Sequence, residues 1–221
     1  MWMVMAATVG VLLIISMWFV YFNRNPYNLF DLRNLYLVVF MVGGYIFTSK
    51  VFDEMHAPQK SYMFLTLPVS APEKLLAAWL ITSPVYVVVF GLLMLLLSFF
   101  SSAAGGNLDV LPHLFDNQFF NCIKVYLVTQ AVFLLGATAF RGNNFLKTLL
   151  ALILAAFAIA AYAGGLGYLL FWDGTHQVRL GGEQRDITEY IFTKGIPMLF
   201  WWLLAPFLLL VSYFKLKERQ V

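Results

Sequence analysis

Long uninterrupted apolar runs constrain this chain more than any other feature. Several reach the roughly 20 residues that a helix needs to cross a ~30 Å hydrocarbon layer. They lie at about 1–22, 33–50, 75–101, 119–140, 148–172 and 196–214. The apolar residues come as blocks and not in alternation, which excludes a transmembrane β-barrel, whose strands alternate. Composition agrees, with 62% hydrophobic and 11% charged residues, against about a quarter charged in an ordinary soluble chain. The expected fold class is an all-α membrane protein with six transmembrane helices. The longest polar pieces, Lys50–Lys74 and Asp173–Gly195, are too short to fold separately, so residues 1–221 are expected to form a single transmembrane domain.

The first run has no basic stretch ahead of it and outlasts the apolar core of a secretory signal, so it reads as a retained span. Turn formers and charges separate the runs: Asn25-Pro26, Gly105-Gly106-Asn107, Arg141-Gly142-Asn143-Asn144 and Asp173-Gly174. Orientation follows from lysine and arginine, which short cytoplasmic loops retain. Lys50, Lys60, Lys74, Arg141, Lys147, Lys215, Lys217 and Arg219 fall on one side; Arg24, Arg33, Arg179, Arg185 and Lys194 fall on the other, the last three diluted by nearby acids. Eight against five puts both termini in the cytoplasm. Lys124 lies inside the fourth run, one to two turns from its edge, and reads as a lysine that can snorkel to the surface.

The motifs that mark common enzymes are missing. There is no His-Glu-x-x-His, no Gly-x-Ser-x-Gly and no Gly-x-x-x-x-Gly-Lys. The centres of the runs contain no aspartate or glutamate, so a cation-coupled carrier would lack its usual intramembrane carboxylate. Cys122 is the only cysteine, and His56, His113 and His176 stand far apart, so neither a disulfide nor a metal site is expected. The chain is not expected to be an enzyme, and any energy for transport would have to come from another subunit.

Two segments remain as candidate sites. In the fifth run Ala156, Ala160 and Gly164 recur every fourth residue. That places them on one helix face, where close approach of another helix is possible, either within the chain or at a dimer face. The segment from Asp53 to Leu80 contains Tyr62, Phe64 and Leu65 outside any run long enough to cross, so they are expected in the interface or against a partner. Ser70, Pro72 and Glu73 then read as an N-cap, a first-turn proline and the third helical position of a capping box leading into the third span.

The stretch Phe64-Leu65-Thr66-Leu67-Pro68-Val69-Ser70, followed by Glu73-Lys74 and a long apolar helix, resembles the cytoplasmic link between spans two and three of type-2 ATP-binding-cassette (ABC) exporter permeases. In detail it is closest to Bacteroidetes-type members. The likeness covers roughly residues 45–85 in sequence, and the six-span layout agrees with the family. It implies a permease subunit of the bacterial inner membrane that forms a homodimer or pairs with a similar permease. Two cytoplasmic ABC ATPase subunits would bind ATP and Mg, while this chain itself would bind no cofactor and no nucleic acid. The resemblance also implies a short coupling helix in the link, with Tyr62, Phe64, Leu65, Pro68, Ser70 and Glu73 as the residues that contact the ATPase and transmit its motion. Such permeases commonly begin with a basic amphipathic segment, whereas here the first span opens at Met1. Either that segment has been lost or the start lies upstream. The alternative function is a non-transporting membrane scaffold or assembly partner derived from such a permease.

Overall fold

The structure, a computed structural model, describes residues 28–56, 69–105, 116–171 and 190–218, together with Ile14, Ile15 and Trp18. Apart from those three positions, the expected first span lies outside the described residues. The rest is almost entirely helical, with no strand among the described residues. Helix α1 runs over Asn28–Lys50 and α2 over Asp53–His56. Helix α3, Ala71–Leu80, continues through a π-helical turn at Ile81–Val85 into α4, Tyr86–Gly105. Helix α5 covers Asn117–Ala139 and α6 covers Asn144–Phe171. The last stretch mixes π-helical turns at Ile191–Gly195 and Leu199–Leu203 with α7, Ile196–Met198, and ends in α8, Leu204–Glu218.

Five helical stretches are long and apolar enough to cross a membrane: Arg33–His56, Ala71–Phe100, Asn117–Ala139, Asn144–Gly165 and Thr193–Glu218. They correspond to runs two to six of the sequence, and the architecture is compatible with a multi-pass membrane protein. The last four begin a few residues before the apolar runs, where polar residues can supply the caps. At the start of α5, the Asp116 carboxylate accepts the Asn117 N–H at 2.6 Å and its carbonyl accepts the Phe119 N–H at 2.9 Å. An acid at that position also suits the positive end of the helix dipole.

By contacts the chain divides into two compact units, residues 1–47 with 76–130 and residues 48–75 with 131–221. The first is built on a core of Tyr36, Leu37, Met94, Leu97 and Phe119. Arg33 is buried in the same unit, where it donates to the Gln118 side-chain oxygen at 2.6 Å and lies 3.9 Å from the Asp116 carboxylate. In the second unit Phe52, Met55, Phe133, Leu134 and Ala137 are buried. Phe133 and Phe145 stack at 5.7 Å between ring centres. Gly136 lets α6 approach closely, since a Cβ there would lie 2.9 Å from the Thr148 Cβ. Gly142 (φ 64°) and Asn143 (φ 51°) turn the chain between α5 and α6 in the left-handed region that glycine and asparagine tolerate.

Candidate functional site

The most organised polar group in the first unit surrounds the π-helical turn. Pro84 inside the turn has no N–H to give, and the Tyr86 N–H bonds to the Ser83 carbonyl. The Thr82 carbonyl instead accepts the Tyr126 hydroxyl at 2.7 Å. Gln130, one helical turn after Tyr126, donates from Nε2 to the Thr82 Oγ1 at 2.6 Å and accepts the Ser83 hydroxyl on Oε1 at 2.5 Å. The Thr82 hydroxyl in turn donates to the Ala78 carbonyl at 2.8 Å. Thr82, Ser83, Tyr126 and Gln130 are all fully buried. Helix α5 thus holds the irregular turn with two side chains on one face, satisfying groups that would cost several kcal/mol each if left bare in hydrocarbon.

Aromatic residues from α1 and α4 complete the cluster. Phe40 lies 4.7 Å from the Tyr126 ring centre and Tyr86 lies 5.5 Å from it. The Tyr86 hydroxyl donates to the Phe40 carbonyl at 2.9 Å, and the Tyr45 and Thr129 hydroxyls share a 2.6 Å bond. Gly44 faces the Tyr126 ring so closely that a Cβ there would meet its hydroxyl at 2.6 Å. Its polar groups are hydroxyls, an amide and backbone carbonyls, and their bonds tie the π-helical turn to helix α5. Among the described residues, no group of three His, Cys, Asp or Glu could hold a metal ion.

The link from Lys50 to Lys74 belongs to the second unit. Its beginning is pinned: the His56 Nε2 lies 2.8 Å from the Ala137 carbonyl, and Asn144 Nδ2 donates to the Ser49 carbonyl at 3.3 Å and to Asp53 at 3.1 Å. Its end carries half of the expected capping box. The Glu73 carboxylate accepts the Ser70 N–H at 2.9 Å and the Ser70 hydroxyl at 2.7 Å, while Ser70, Ala71, Pro72 and Glu73 occupy N-cap to third position of α3. The Ser70 hydroxyl therefore bonds to the carboxylate, where a capping box would direct it to the third backbone N–H. Tyr62, Phe64, Leu65 and Pro68 lie outside the described residues.

Ala156, Ala160 and Gly164 sit on α6, and every residue from 151 to 165 is exposed. A Cβ built on Gly164 meets no atom within 4 Å. The residues that sequence reasoning missed are those of the buried cluster. The polar triplet Thr82-Ser83-Pro84 inside an apolar run and the spacing of Tyr126, Thr129 and Gln130 were the available signals. No family model, curated protein or solved structure matches the chain.

Proposed function

We propose that this chain is the transmembrane permease subunit of an ATP-driven ABC exporter. In this reading six spans cross the bacterial inner membrane with both termini in the cytoplasm. A separate ATPase subunit binds ATP and Mg and docks on the Lys50–Lys74 link, where a short coupling helix passes its motion to the third span. The permease pairs with a second copy or with a similar chain. The observation that carries the proposal is the join between link and span: Glu73 closes on Ser70 through two hydrogen bonds, and the helix then runs on, through one π-helical turn, to Gly105. A push on the link is therefore delivered to a helix whose first turn is stiffened by Pro72 and the cap.

The test replaces Phe64 with aspartate and, separately, Glu73 with alanine, and follows membrane insertion, retention of the ATPase and stimulated ATP hydrolysis. Normal insertion of both is expected, with loss of the partner for Phe64→Asp and weakened stimulation for Glu73→Ala. Full retention of partner and activity by both variants would remove the proposal.

A further inference from the structure

Near its start, helix α5 presents an exposed polar face. Asn117, Asn121 and Lys124 follow at intervals of four and three residues, which aligns them on one side. All three are exposed; the Asp116 carboxylate takes the Asn117 backbone N–H, and among the described residues the three side chains themselves have no hydrogen-bond or ion-pair partner. Lys124 is seven residues from Asn117, about 10 Å along the axis at ~1.5 Å per residue. Helical side chains lean toward the N-terminus, which lets the Lys124 ammonium reach back toward Asn121 and Asn117. Phe120 and Leu127, 51% and 36% exposed, flank Lys124 on the same side. Among the described residues it has no ion-pair partner: Asp116, at the start of the helix, lies 3.9 Å from Arg33, and Arg33 is itself buried.

We infer that this face binds an anionic glycerophospholipid, with its phosphate held by Lys124, Asn121 and Asn117 and its acyl chains lying on Phe120 and Leu127. The inference rests on the reading of Asn117–Ala139 as a membrane span and is independent of any ATPase. A lysine this close to the span edge can reach the headgroup zone, where a lipid phosphate supplies both a counter-charge and an acceptor. Two amides above the lysine provide donors along the path of the headgroup, and the apolar flanks match an amphiphile better than a soluble anion.

Native mass spectrometry of the purified full-length chain tests this with phosphatidylglycerol and phosphatidylcholine of identical acyl chains. The wild type should retain phosphatidylglycerol about fivefold more than phosphatidylcholine, the equivalent of the ~1 kcal/mol that one lysine contributes at an anionic surface. Lys124→Gln should abolish that preference, Lys124→Arg should keep it, and Lys50→Gln should leave it intact. Equal retention of the two lipids by the wild type, or a preference that survives Lys124→Gln, would overturn the inference. Displacement of the lipid by glycerol 1-phosphate at equal concentration would also overturn it, by making the occupant a soluble anion. Alkaline extraction separates the two possible failures. Release of the chain from membranes would refute the spanning premise and the site together, whereas a chain that stays in the membrane without lipid preference would refute only the site.

Discussion

Replacing Gly44 with alanine tests whether the buried cluster is as tightly held as its distances indicate. The added methyl would lie 2.6 Å from the Tyr126 hydroxyl and 2.7 Å from its Cζ. The ring cannot easily yield, because Phe40, Tyr86 and Tyr45 lie against it at 4.7, 5.5 and 5.8 Å between centres. Overpacking of this kind costs about 1–3 kcal/mol. Moving the ring also breaks the Tyr126–Thr82 bond, a further loss of about 0.5–1.5 kcal/mol. Against this stands the better helix propensity of alanine, about 1 kcal/mol. The net loss is on the order of 2 kcal/mol, which for a chain of this size lowers the melting temperature by about 4–8 °C. Cys122, the lone thiol, is half-buried, so its labelling by a fluorogenic maleimide during heating reports unfolding directly. Tyr126→Phe should cost about 0.6 kcal/mol in the wild type and close to nothing on top of Gly44→Ala, since the same hydrogen bond is already gone. An unchanged or raised melting temperature for Gly44→Ala would refute the reasoning, because helix propensity alone would then account for the result.

Two further outcomes are expected. Single cysteines at Asn107 and Gly181, in a chain freed of Cys122, should react with an impermeant thiol reagent in whole cells, while reaction at Gln59 would invert the proposed orientation. Gly164→Leu should leave the stability of the chain within about 0.5 kcal/mol, as for other surface sites, because nothing lies within 4 Å of the new side chain; a shift toward monomer on size-exclusion chromatography would then mark this face as part of a dimer interface.

The five long apolar helices could be read from the sequence because each is a continuous apolar block, and in a membrane such a block has no alternative to helix. Their ends were harder. The third run begins at about residue 75 by hydropathy, yet α3 starts at Ala71 because Ser70 and Glu73 close its first turn. Likewise Asn144 opens α6 four residues before the apolar run at 148, with its carbonyl accepting the Thr148 hydroxyl. The cap itself was legible, since its residues are neighbours in sequence. The clasp on the π-helical turn was not, although Thr82, Ser83 and Pro84 interrupt an apolar run. Which group takes the Thr82 carbonyl depends on Tyr126, 44 residues away, and no local pattern specifies that pairing. The small residues of α6 show the converse, because their spacing marks a face without saying what covers it.

The tight turn between α5 and α6 bears on how the protein is made. Only residues 140–143 separate two apolar helices, and two of them, Gly142 and Asn143, adopt left-handed backbone angles. Neither helix can leave an insertion channel far ahead of the other. In the proposed orientation the pair would partition into lipid as one hairpin, with Arg141 and Lys147 held back on the ribosome side, and Thr148 would meet Gly136 at that moment and not after release of the finished chain. A substitution that stiffens or lengthens residues 140–143 would then act on biosynthetic yield before it acted on the stability of the mature protein.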